Sequence, residues 1–214
     1  MTVRSYRHRR GRMSASTTAA LERHDVLPVD GRPLDVRGLF GRDAPLVVEV
    51  GSGMGEATAA MAAADPGRNV LAVDVHVQGL GRLLRRTEDQ GLSNVRVAEG
   101  DAVVLLTDML GSGSVDEVRV YFPDPWPKAR HGKRRLVQQG FLDLVADRLR
   151  PGGSLHVATD WAPYADRMRT LLTAHSSFEL IHDGPRPPTR PVTRFEQQGL
   201  KLGRPSWDGI AERR

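Results

Sequence analysis

The chain of 214 residues contains no cysteine. That excludes disulfide bonds, thiolate metal sites and a cysteine nucleophile, and it leaves the redox compartment undetermined. No apolar run approaches the length needed to span a bilayer. The first residues are basic but no apolar stretch follows them, so a secretory leader is not expected. His131 has no second histidine or carboxylate at metal-ligand spacing, so no metal is assigned. Acidic residues are missing from two stretches. One runs from Met1 to Arg12, with Arg4, Arg7, Arg9, Arg10 and Arg12; the other runs from Pro125 to Arg135. With a net charge of +5 and a pI near 10.2, the balance favours a polyanionic partner. These features point to a cytoplasmic protein of one domain, residues 16–214, preceded by a flexible basic arm over residues 1–15. The oligomeric state is left open.

From Leu46 onward, short apolar runs alternate with helical patterns. Strands are expected at 46–50, 69–73, 95–98, 115–122, 154–158, 178–182 and 206–211. Helices are expected at 56–64, 77–90, 102–110, 136–149, 164–174 and 193–202, with a short one at 16–24. The stretch 28–45 reads as a loop, and Arg150-Pro151-Gly152-Gly153 reads as a break between helix and strand. This alternation predicts an α/β fold with a doubly wound, Rossmann-like parallel sheet. In such sheets the ligand sits beyond the carboxyl ends of the strands.

The chemistry falls at those ends. Glu49-Val50-Gly51-Ser52-Gly53-Met54-Gly55 follows the first strand and opens the first helix. Glycines there allow a tight turn and close approach of a ligand to the backbone. Asp74 ends the next strand, where an acid accepts from ribose hydroxyls. Asp101 follows the third strand, as a helix cap, a contact to an adenine amine, or both. Two ligands are open, NAD and S-adenosylmethionine. Gly51, Gly53 and Gly55 lack the dinucleotide spacing. Glu49 would repel a pyrophosphate but suits a cationic amino group and sulfonium, so S-adenosylmethionine is favoured.

After the strand 115–122 comes Pro123-Asp124-Pro125-Trp126-Pro127-Lys128-Ala129-Arg130-His131-Gly132, then Lys133-Arg134-Arg135. A carboxylate between two prolines at a strand end, beside a dense basic run, reads as an active-site edge facing a polyanion. Arg130, Lys133, Arg134 and Arg135 are assigned to the phosphate backbone of that polyanion. Trp126 and Trp161 read as packing residues or as a wall against a base, and Trp207 as core.

Together with VDVHVQG (73–79), ATDWAPY (158–164), TRFE (193–196) and LGRPSWD (202–208), these segments resemble the tRNA (guanine-N7)-methyltransferase family over nearly the whole chain. The resemblance implies a class I methyltransferase sheet, mostly parallel with a reversed last strand. It also implies methyl transfer from S-adenosylmethionine to N7 of a guanine in the tRNA variable loop. Cofactor contacts would fall on Glu49, Asp74, Asp101 and Asp124, and substrate contacts on Lys128, Asp160, Thr193, Arg194, Phe195 and Glu196. Asp124 would be catalytic. Asp74 stands where the family more often has Glu, Tyr121 where Phe is commoner, and Ala129 where a second Lys is frequent.

Guanine N7 carries a lone pair and no proton, so its methylation needs alignment rather than a base at the attacking atom. A nearby carboxylate can stabilise the charge that arrives on the base. If Lys133 and Arg134 hold phosphates, Lys133→Ala with Arg134→Ala weakens tRNA binding. The plot of log K against log salt should then flatten by roughly 1–2 units in a filter-binding titration; an unchanged slope would exclude them.

Overall fold

A computed structural model of the chain describes residues 13–214; the basic residues 1–12 lie outside the described residues. Ser14 caps the first helix, α1 (Ala15–Arg23), by accepting from the Thr17 amide. The short helix expected at 16–24 thus starts and ends one residue earlier.

Eight strands form one sheet: β1 (Leu27–Pro28), β2 (Leu46–Val50), β3 (Asn69–Asp74), β4 (Val95–Glu99), β5 (Val115–Tyr121), β6 (Leu149–Thr159), β7 (Phe178–Gly184) and β8 (Trp207–Arg213). Their order is β1-β4-β3-β2-β5-β6-β8-β7. All neighbours from β1 to β6 are parallel. β8 inserts antiparallel between β6 and β7, which is the reversed last strand implied by the resemblance. The helices are α2 (Val36–Phe40), α3 (Glu56–Ala64), α4 (Val77–Gln90), α5 (Ala102–Val104), α6 (Gln139–Arg148), α7 (Ala162–Ala174) and α8 (Arg194–Lys201). No described helix is long and apolar enough to cross a membrane.

The central strands are covered on both faces, so they read as unbroken apolar runs; β3 is buried at every position. Neighbouring residues of β2 and β3 point to opposite sides. Val48, Leu71 and Val73 join one core, with Leu142, Val145 and Met168, whereas Val47, Val70 and Ala72 join the other, with Leu80 and Leu83. Strand β7, at the sheet edge, alternates buried and exposed residues.

Four expectations need correction. The stretch 28–45 is not all loop: it contains α2, and Pro28 belongs to β1, whose backbone pairs with β4. The helix expected at 102–110 is α-helical for three residues and then widens into a π turn, Leu105–Met109. The helix expected from 136 begins at 139, and the Val137 amide before it donates to the Tyr164 hydroxyl (3.0 Å). Arg150–Gly153 does not separate helix from strand. The ladder steps from Val115↔Leu149 to Glu117↔Ser154, and this irregularity absorbs Pro151 and Gly152 within β6.

A charged cluster is buried beneath the carboxyl ends of β5 and β6 and the amino end of β8. Arg190 is fully buried. Its Nε and Nη2 donate to the two oxygens of Asp208 (2.7 and 2.8 Å), and its Nη1 donates to Glu196 Oε2 (2.8 Å). Asp208 also pairs with His156 Nε2 (2.8 Å), whose Nδ1 meets the Tyr121 hydroxyl (3.0 Å). Burial pushes the Asp208 carboxyl up, but hydrogen bonds from His156 and Arg190 outweigh it and hold its pKa below the usual range. Such a lowered pKa contributes stability that is present above the ordinary aspartate value and lost as pH falls through the depressed one. Breaking a buried pair by removing one partner costs about 3–5 kcal/mol. Asp208→Asn should lower the free energy of urea unfolding by about that much at neutral pH, and its loss of stability on acidification should be shallower than that of the wild type.

Candidate active site

The cavity of about 720 Å³ opens at the carboxyl ends of β2, β3 and β5, a size suited to a nucleoside-like ligand. One wall is the glycine loop. Gly51 and Gly53 line it with positive φ (79° and 57°). Gly79 of α4 lies so close that a Cβ there would stand 2.1 Å from the Gly53 carbonyl oxygen, so α4 presses the loop into place. Gly55 does not line the cavity. It caps α3 at φ 74°, and a Cβ on it would strike Leu83 at 2.6 Å. Its contribution is to the shape of the turn rather than to ligand contact.

Glu49 is 2% exposed. Its Oε1 accepts from the Thr58 hydroxyl (2.8 Å), while Oε2 is buried without a hydrogen-bond partner. Burial raises its pKa, and Arg119 opposes the rise. A buried carboxylate oxygen without a partner on a cavity wall is open to a donor from a ligand. Asp74 accepts from the amides of Gly53 (3.2 Å) and His76 (2.9 Å), and burial raises its pKa too. These two bonds leave lone pairs for hydroxyl donors. Asp101 also lines the cavity; it caps α5 by accepting from the Val103 amide (2.9 Å). Glycine loop, buried carboxylate and strand-end acids thus meet at one cavity, with the amides of Gly51, Gly53 and Gly55 taken by Val73, Asp74 and Ser52. Among the described residues, no three His, Asp or Glu side chains gather as a metal site.

The opposite wall is the turn after β5. Phe122 (φ 53°) and Trp126 (φ 43°) are the two non-glycine residues with positive φ among the described residues. Each costs about 1–3 kcal/mol and persists where its surroundings over-determine it. The Phe122 amide donates to the Ala158 carbonyl (2.8 Å), and its ring lies 5.3 Å from the Arg190 guanidinium and 6.4 Å from the Phe195 ring. Trp126 is buried, with the Arg134 guanidinium 4.9 Å over its ring and His131 edge-on at 5.8 Å. Between these two fixed points, Asp124 is exposed on the cavity rim.

The basic run follows as a tight 3₁₀ turn, Ala129–Arg134. Lys128, Arg130, Lys133 and Arg134 are exposed. Arg135 is half-buried; its Nε donates to the Pro125 carbonyl (2.8 Å) and its guanidinium covers the Tyr164 ring at 5.0 Å. Arg135 thus braces the turn, which the sequence reading did not anticipate.

Helix α8 closes the third side. Thr193 caps it, accepting from the Glu196 amide (3.1 Å), and Thr193, Arg194 and Phe195 line the cavity. Phe195 is 55% exposed. Three predicted substrate residues, Lys128, Asp160 and Glu196, are not brought to the cavity wall, and Lys128 is exposed just beyond it. Asp160 is ion-paired with Arg204 (3.0 Å), and Glu196 is buried on the opposite side of α8, among Arg186, Arg190 and Ser206. Arg190, Asp208 and His156 were given no role from sequence. The usable signal was His156, a lone histidine inside the apolar run Leu155–Ala158, since such a residue needs a buried partner.

A family model described as "Putative methyltransferase" matches residues 43–209. A tRNA (guanine-N(7)-)-methyltransferase of Streptomyces avermitilis is 54% identical over 94% of this chain and 72% of its own length. Another, from Paracidovorax citrulli, is 46% identical over 99% of this chain and 87% of its own. Among solved structures, an rRNA methylase from Streptococcus thermophilus superposes with a TM-score of 0.55 at 18% identity, over 85% of this chain and 96% of that one; it speaks for the fold alone. With a matching family model over most of its length, relatives above 40% identity and a site of this form, the chain belongs to the tRNA (guanine-N(7)-)-methyltransferase family.

Proposed function

We propose that the protein transfers a methyl group from S-adenosylmethionine to N7 of a guanine in the variable loop of tRNA. The observation that carries this reading is the pairing of two opposed features on one cavity. The buried, unmatched oxygen of Glu49 lies on one wall, and exposed Asp124, fixed between two strained residues, lies on the other.

Glu49 would hold the cationic amino end of the cofactor, Asp74 its ribose and Asp101 its adenine, with Gly51 and Gly53 offering backbone. Bound there, S-adenosylmethionine supplies an electrophilic methyl group on sulfur. The remaining work belongs to the chain. Asp124 accepts from the N1 and exocyclic amine edge of guanine, which selects guanine over adenine and aligns N7. As the base becomes cationic, the same carboxylate stabilises it. No proton leaves N7, so Asp124 acts as an acceptor and a charge rather than as a base at that atom. The prolines on both sides and the fixed rings of Phe122 and Trp126 keep it from relaxing. Lys128, Arg130, Lys133 and Arg134 present the positive surface that the tRNA backbone needs.

Incubation with labelled S-adenosylmethionine and unmodified tRNA should place label at a residue cleavable as 7-methylguanosine; no label in tRNA would overturn the reading. Asp124→Asn should lower kcat by roughly 10²–10³-fold while tRNA still binds in a filter assay, and near-normal turnover would remove the role given to Asp124.

The buried acids add a pH dependence. Below its raised pKa, Glu49 is neutral and its attraction for a cationic ligand is lost. Affinity for S-adenosylmethionine should therefore rise with pH through a range above the ordinary glutamate value of about 4.3. Calorimetric titration should show that rise reduced in Glu49→Gln.

A further inference from the structure

Resting on the methyl-transfer reading, we infer that Arg190 and Glu196 are positioning residues: Arg190 locks the Asp124 turn and helix α8 into one frame, and Glu196 acts through Arg190 without touching tRNA. The family resemblance placed Glu196 among the substrate contacts. Its geometry here is different. The residue is 4% exposed, and both carboxylate oxygens are occupied. Oε1 accepts from Arg186 Nε (3.1 Å) and the Ser206 hydroxyl (2.9 Å), and Oε2 accepts from Arg190 Nη1 (2.8 Å). Charge-assisted bonds of this kind are the strong ones.

Arg190 then reaches the reacting edge. Its guanidinium lies 5.3 Å from the Phe122 ring and 5.5 Å from the Tyr121 ring. Phe122 is the left-handed residue two positions before Asp124, and its other ring neighbour is Phe195, one position before Glu196 on α8. Phe122 is thus held between a guanidinium fixed by Glu196 and a ring carried on the same helix. The Nε and Nη2 of Arg190 donate to Asp208 on β8, which anchors the frame to the sheet. Only a planar fork satisfies two carboxylates while lying over two rings, a geometry that lysine lacks.

The test separates positioning from contact and from mere support. Glu196→Gln keeps the shape but removes the charge. Its kcat should fall roughly 10- to 100-fold, as for a catalytic group misplaced by about an ångström. The tRNA dissociation constant in filter binding should stay within about threefold. Combined with Asp124→Asn, it should add little further loss, because the group it positions is already disabled. Arg190→Lys should behave in the same way. Ser206→Ala, which removes one bond to the same carboxylate and leaves the ion pairs, serves if either variant fails to fold. It should show a smaller fall in kcat with the same non-additivity. An unchanged kcat, a tenfold weaker tRNA affinity, or full additivity with Asp124→Asn would each overturn the inference. Absence of methyl transfer by the wild-type protein would instead sink the functional reading itself.

Discussion

A single buried guanidinium sets the geometry at the carboxyl edge of the sheet. Taking a charge out of water costs several kcal/mol, and it is tolerated only where every donor finds an acceptor. Arg190 meets that condition with Asp208 and Glu196, and with longer bonds to the Pro191 carbonyl and the Ser206 hydroxyl. Its partners come from β8 and α8, and it also lies against the last residue of β5 and the first of the turn beyond it. Loops at a sheet edge are otherwise the freest parts of a domain. Here two of them share one ion, α8 through a charge-assisted bond from Arg190 to Glu196 and the turn after β5 through the Phe122 ring beside the same guanidinium.

Around that fixed frame, charge is sorted by depth. The carboxylates of Glu49 and Asp74 are buried at the ends of β2 and β3, whereas Lys128, Arg130, Lys133 and Arg134 are exposed beyond the turn. A small cation is attracted to the floor, and a polyanion is attracted to the rim and repelled from the floor. Asp124 stands at the boundary, with both fields acting on it. Two ligands of opposite charge can therefore occupy adjacent sites without competing.

The sequence revealed features governed by local rules. Gly51, Gly53 and Gly55 announce a tight loop because left-handed backbone favours glycine, and Pro123 and Pro125 announce a stiff turn. Asp101, read from sequence as a helix cap, does cap α5. Beyond local rules, legibility failed. Phe122 and Trp126 adopt left-handed backbone with no glycine to advertise it, because distant groups hold them there. Glu196 sits in a segment rich in polar residues, and nothing in its spacing says that Arg186, Arg190 and Ser206 would surround it. Arg135 looks like its neighbours in the basic run, yet the Pro125 carbonyl and the Tyr164 ring claim it. Each of these depends on a partner remote in the chain or on a turn whose path only the folded structure fixes.

The insertion of β8 between β6 and β7 divides the site by its origin in the chain. His156 and Asp208 stand 52 positions apart, yet they meet in the buried cluster. The glycine loop and the row of strand-end acids belong to β2, β3 and β4 and the turns after them, whereas the carboxylate that anchors Arg190 arrives with the last strand. A chain cut before Trp207 would keep the residues of the cavity floor and lose the group that holds Arg190 over the Phe122 ring.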